Sequence, residues 1–168
     1  MNSVRTKLKP NPSVLSPAPV RVLVIDDHAA MRAGLAQLIG GDPLVPRSVF
    51  TTGSSAVALR HLNEARPQLV VLDVDLAGVD GLVLLPQLAA LAHVVVLTNQ
   101  DDAATRHRAL RLGADAFVVK GAPASALLAH LARLATLDSR GERAPPKGGP
   151  SSNARAVSSS ADDSGSGS

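Results

Sequence analysis

The stretch that most constrains this chain is Leu69-Val70-Val71-Leu72-Asp73-Val74-Asp75-Leu76-Ala77-Gly78-Val79-Asp80-Gly81, where an unbroken apolar run meets an acid and enters an acidic, glycine-containing loop. Four apolar residues in a row, bounded by such a loop, predict a strand buried on both faces and therefore parallel to its neighbours. Ligands of open parallel sheets bind at the carboxyl ends of the strands, which aims Asp73 at a ligand. An aspartate that merely ends a strand and starts a turn has the same local pattern. The choice rests on what the rest of the chain brings to that rim.

Away from this stretch the sequence repeats the unit of apolar strand, polar loop and amphipathic helix. Val22 to Ile25 is the first strand; Met31, Leu35, Leu38 and Ile39 then recur at helical spacing until Gly40-Gly41-Asp42-Pro43 ends the helix. Arg47 to Thr51 is a weaker strand behind Pro46, which suits a sheet edge. A helix from Ser54 to Ala65, the strand Leu69 to Leu72, and a helix from about Leu82 to Leu91 with Pro86 awkwardly inside its early part follow. Then come the strand Val94 to Leu97, a helix from Asp102 to Leu112, the strand Ala116 to Val119, and a last helix marked by Leu127, Leu128, Leu131, Leu134 and Ala135. This alternation predicts an α/β fold, a flavodoxin-like doubly wound five-stranded parallel sheet with helices on both faces. The strand order 2-1-3-4-5 puts the weak second strand at an edge and sets the first and third strands side by side.

That adjacency gives Asp73 company. The first strand also ends in acid, Asp26-Asp27, so three carboxylates converge and require a cation or protons to be tolerated. On that repulsion alone, removing Asp27 should raise the stability of the metal-free domain. Oxygen ligands without cysteine or paired histidine favour Mg²⁺, which keeps several waters and is often completed by phosphate. The fourth strand runs into Thr98, a hydroxyl, and the fifth into Lys120, a point charge suited to phosphate. Each has a plain alternative, Thr98 as a helix cap and Lys120 as a solvated loop residue. Together they describe a site for moving a phosphoryl group onto Asp73.

With these residues in place the chain resembles the receiver domain of two-component response regulators over residues 21 to about 138. The resemblance implies Asp26 and Asp27 as a metal-binding acid pair, Asp73 as phosphoacceptor, Thr98 as signalling hydroxyl, Lys120 as the phosphate-binding lysine, Phe117 as a switch aromatic, and the backbone carbonyl of Asp75 as a further Mg²⁺ ligand. It also implies a histidine kinase or phosphotransfer protein as donor. A downstream protein, or a second copy, would dock on the face of the fourth helix, fifth strand and fifth helix, where some of Arg106, Arg108 and Arg111 should lie. Asp26-Asp27-His28 with Arg32, Gly34 and Leu35 is similar to the opening of receivers in LuxR-type transcription regulators. Ala77 departs from the family's usual proline, which should loosen the acidic loop without removing a ligand, and Asn99 stands where a small residue is common. Asp73-Val74-Asp75 also resembles the nucleophile motif of haloacid-dehalogenase-type phosphatases, but there the acid pair follows the lysine. Five histidines show no metal-binding spacing, so none is a site candidate.

Composition bounds the remaining classes. Phe50 and Phe117 are the only aromatic rings, too few to stack single-stranded nucleic acid. Cysteine is absent, no run of about 18 apolar residues occurs, and the N-terminus lacks an apolar leader. A cytoplasmic protein outside the membrane is the expectation. The formal charge is +3, yet residues 21–139 carry ten Lys/Arg against eleven Asp/Glu, a net of −1. The basic excess therefore sits in residues 1–20 and 140–168, which are rich in Pro, Ser and Gly and are expected to be disordered tails around the domain 21–139. Only 29 residues follow position 139 and they contain no helix-turn-helix pattern. The expectation is a single-domain regulator, phosphorylated on itself rather than a dedicated enzyme, with no DNA binding; the alternatives are the phosphatase or a LuxR-type regulator lacking its helix-turn-helix.

Overall fold

The structure, a computed structural model, describes residues 18–42, 47–99 and 102–139. Residues 1–17 and 140–168 of the tails, together with Pro43 and Pro46, lie outside the described residues. Among the described residues, seven strands and five α-helices follow in the order β1 (Val20–Ile25), α1 (Ala29–Gly40), β2 (Arg47–Thr52), α2 (Ser55–Glu64), β3 (Leu69–Asp73), β4 (Asp75–Leu76), β5 (Val79–Asp80), α3 (Leu85–Leu91), β6 (His93–Thr98), α4 (Ala103–Arg111), β7 (Ala116–Val119) and α5 (Ala124–Ser139). The main sheet is parallel throughout, in the order β2-β1-β3-β6-β7. Counting only its own strands, this is the expected 2-1-3-4-5, with β2 at an edge. β1 begins at Val20, just inside the expected tail, because Val20 pairs in register with Arg47.

Period-two alternation explains why the strands are apolar at every position. Val22, Val24, Val71 and Val95 pack with Leu35 and Ile39 of α1 and with Leu131 and Leu134 of α5. Leu23, Ile25, Leu72 and Val96 pack on the other side with Leu62 of α2, Leu85 and Leu88 of α3 and Ala109 of α4. Each large side chain so buried stabilises the fold by about 1.5–3 kcal/mol relative to exposure. Met31, expected on the buried face of α1, is instead exposed; Leu35 and Ile39 carry that contact.

The third helix also differs from expectation. A 3₁₀ turn, Gly81–Leu84, precedes α3, so Pro86 falls in the helix's first turn, where its missing N–H breaks no bond. The acidic loop before it is ordered as a hairpin. β4 and β5 pair antiparallel, and the two residues between them, Ala77 and Gly78, have φ of +54° and +78°. Positive φ at both positions is the mark of a type I′ turn, which matches strand twist. Ala77 thus departs from the family's proline in backbone conformation as well as in side chain, since a proline could not adopt this φ. Gly81 then passes so close to the end of β3 that a Cβ there would lie 2.2 Å from the Asp73 carbonyl oxygen.

Candidate functional site

The carboxyl ends of β1, β3, β6 and β7 bring Asp26, Asp27, Asp73, Thr98 and Lys120 to one rim of the sheet. Lys120 is the centre of it. Its Nζ donates to Asp26 Oδ2 at 2.9 Å and to Asp73 Oδ2 at 2.7 Å, and all three side chains are almost fully buried. The lysine's placement follows from register: β7 pairs with β6, and the Lys120 N–H donates to the Thr98 carbonyl at 2.7 Å. Asp73 Oδ1 accepts the Asp75 N–H at 3.3 Å, while Asp26 Oδ1 accepts the His28 N–H at 2.8 Å.

Asp27 is held differently. Its Oδ2 accepts the Ala77 N–H at 2.9 Å, and its Oδ1 lies 2.8 Å from His28 Nδ1. That Oδ1 is buried and accepts no hydrogen bond. His28, whose spacing gives no metal-binding motif, is exposed at the head of α1, yet it joins Asp26, Asp27 and Asp73 in a group whose candidate ligand atoms lie within 4.8 Å of one another. Arg32 was named only as part of a motif, and its Nη1 donates to the Asp26 carbonyl at 2.7 Å, fixing the end of β1.

Charge follows the geometry. Burial pushes the Asp73 carboxyl above its ordinary value, outweighing the hydrogen bond from Lys120, and the neighbouring Asp26 adds to the rise. Burial would lower the Lys120 ammonium, but its bonds to Asp73 and Asp26 overcome that and raise it. The two partners shift the same way because one lysine serves two acids: the lysine gains from both, and Asp73 has only a share of it. For Asp27, burial would raise the carboxyl, and the Ala77 N–H with the His28 imidazole prevails and lowers it. The raised carboxyl is therefore Asp73, not Asp27.

Three carboxylates against one ammonium suit a divalent cation, and a buried carboxylate oxygen without a donor is the atom such a cation would satisfy. The acidic donors thus fit a hard metal ion. Thr98 is buried at the same rim, and it does not cap the next helix: Asp102 does so, accepting the Thr105 N–H at 2.7 Å. Phe117 pairs in register with Val96, two residues before Thr98, and is buried with the Arg106 guanidinium 4.8 Å above its ring. Arg108 forms an ion pair with Asp80 of the hairpin. Two of the three arginines expected on an open docking face are thus engaged within the chain.

A family model described as the response regulator receiver domain matches residues 22–132, more than half of the chain. The chain belongs to the response regulator receiver domain family. It is 34% identical over 117 residues to the transcriptional regulatory protein UhpA of Salmonella typhimurium, covering 70% of this chain and 59% of that protein. It is likewise 34% identical over 113 residues to a protein-glutamate methylesterase/protein-glutamine glutaminase of Koribacter versatilis, covering 65% of this chain and 31% of the relative. Among solved structures, a response regulator from Burkholderia pseudomallei with a phosphorylated aspartic acid, calcium ion and citrate superposes with a TM-score of 0.62 at 25% identity, over 73% of this chain and 72% of that one. The receiver spans between about a third and three fifths of the length of the two curated relatives. One of these is an enzyme and the other a transcription regulator. Among the described residues, no helix is long and apolar enough to cross a membrane.

Proposed function

We propose that this receiver accepts a phosphoryl group on Asp73 from a histidine kinase or phosphotransfer protein and passes the signal on through protein contacts. The observation that carries the reading is the Lys120 ammonium held between Asp26 and Asp73 at 2.9 and 2.7 Å. A carboxylate oxygen of Asp73 attacks phosphorus, the phosphorus–nitrogen bond of the donor's phosphohistidine breaks, and the imidazole leaves with that electron pair. Asp26, Asp27 and Asp73, with the Asp75 carbonyl, would hold Mg²⁺, which supplies charge neutralisation for the transferring group. Lys120 then exchanges a carboxylate partner for a phosphoryl oxygen, and the Thr98 hydroxyl donates to another. The phosphoryl group brings roughly two negative charges and three acceptor oxygens, enough to reorder hydrogen bonds at this rim.

Thr98 lies diagonal to Phe117 across the β6–β7 pair, so movement of Thr98 reaches the ring beneath Arg106, and with it α4. There a protein target or a second copy would bind. The coupling biases two states and is limited by the partner's differential affinity for them. On this reading the receiver promotes only its own phosphorylation and dephosphorylation.

Incubation of the purified protein with Mg²⁺ and acetyl phosphate should add one phosphoryl group, detected by mass spectrometry, and Asp73→Asn should abolish it. Equal labelling of the Asn variant would sink the assignment.

A further inference from the structure

We infer that the backbone N–H of Ala77 is a positioning group for the metal site: it orients Asp27 so that one carboxylate oxygen is presented to the cation. The inference rests on the phosphoacceptor reading above and adds a residue to it.

Asp27 and Ala77 are 50 residues apart, and the 2.9 Å bond between them ties the β1–α1 loop to the β4–β5 turn. Two features fix the donor. Leu76, next to it, is 4% exposed and belongs to the core cluster, so the hairpin is anchored to the body of the domain. Gly78 N–H donates to Asp75 Oδ1 at 3.1 Å, closing the turn from the other side. Ala77 takes the first of the two left-handed positions of the turn, with φ of +54°, and its N–H points to Asp27.

The consequence falls on Asp27. With Oδ2 engaged, the carboxylate can no longer rotate freely, and Oδ1 is left buried, 2.8 Å from His28 Nδ1 but outside hydrogen-bond geometry, on the side facing Asp26. A ligand carboxylate braced by a hydrogen bond on its outer oxygen is pre-oriented for the metal, and loss of such a brace typically weakens metal binding by about 10–100-fold. Proline at this position, the residue common in the family, has no N–H and cannot take this φ. Alanine here therefore differs from proline in how the ligand is held, through its backbone N–H, while the residue itself is exposed.

The test is the affinity of the full chain for Mg²⁺ alone, by calorimetric titration without any phosphodonor. Ala77→Gly keeps the N–H and suits the positive φ, and should bind within about twofold of wild type; Ala77→Pro should bind about tenfold more weakly or worse. Equal binding by wild type and Ala77→Pro would overturn the inference, as would an equal loss in Ala77→Gly. A second measurement needs no turn variant. In wild-type protein the Ala77 amide should resist hydrogen exchange both without and with saturating Mg²⁺, and should lose that protection in Asp27→Ala. Free exchange of the amide once Mg²⁺ is bound would show that the bond is broken rather than used. Failure of wild type to bind Mg²⁺ at all would sink the phosphoacceptor reading together with this one, whereas wild-type binding with an indifferent Ala77→Pro sinks this one alone.

Discussion

Lys120 is the only lysine between residues 21 and 139, and that span holds no tyrosine or cysteine. Its ammonium is raised by Asp73 and Asp26, so the stability it contributes is complete below its ordinary value of 10.5 and is lost as pH rises through the higher folded value. Arginine stays charged throughout this range. The melting temperature followed by circular dichroism should therefore hold steady to about pH 10 and fall as the pH rises beyond the lysine's ordinary value of 10.5, and a flat profile there would contradict the bridged pair. At this scale the sequence carried much of the site. Asp26, Asp73 and Lys120 were legible because each stands directly after an apolar strand. The Ala77 N–H was not, since no side chain announces a backbone donor, and Asp80 with Arg108 are 28 residues apart on elements whose approach only packing decides.

Among the elements, strand cores were legible and their ends less so. β6 extends to His93 because that histidine, buried beneath the sheet, is paired with Asp115 at 3.1 Å, a long-range contact that lets a polar residue continue an apolar strand. The β4–β5 hairpin escaped notice because strands of two residues have no measurable alternation, and an acidic segment containing glycine has the composition of an ordinary loop. Its junction with the 3₁₀ turn depends on Gly81, whose N–H donates to the Val74 carbonyl at 2.6 Å. A methyl group there would meet the end of β3, so Gly81→Ala should lower stability by roughly 1–3 kcal/mol, the usual range for overpacking, and displace Asp73 as well. Urea unfolding monitored by circular dichroism checks the first effect and phosphoryl uptake the second. An unchanged denaturation midpoint would mean the loop accommodates the methyl group elsewhere.

For the molecule as a whole, the order of strands was legible because five apolar strands alternating with helices fit the flavodoxin-like order, which sets β1 beside β3 and brings acids, hydroxyl and lysine to one rim. The domain limits of 21 and 139 rest on composition alone. A chain trimmed to those residues should keep a single cooperative melting transition, take up phosphate as before, and with its net charge of −1 show no preference among DNA sequences in a mobility-shift titration. Loss of cooperativity on trimming would mean that a tail packs on the domain. The strand order has another consequence, for a chain emerging from the ribosome. β1 is laid down first, β2 joins one side of it and β3 the other, and β6 and β7 then extend the β3 side in turn. No strand has to insert between two that are already paired, so the sheet can grow outward as synthesis proceeds. Lys120 is the last residue of the acid–lysine bridge to be made. Until it arrives the nascent sheet holds Asp26 and Asp73 facing one another without their cation, so completion of the sheet and neutralisation of its rim coincide, with α5 still to pack.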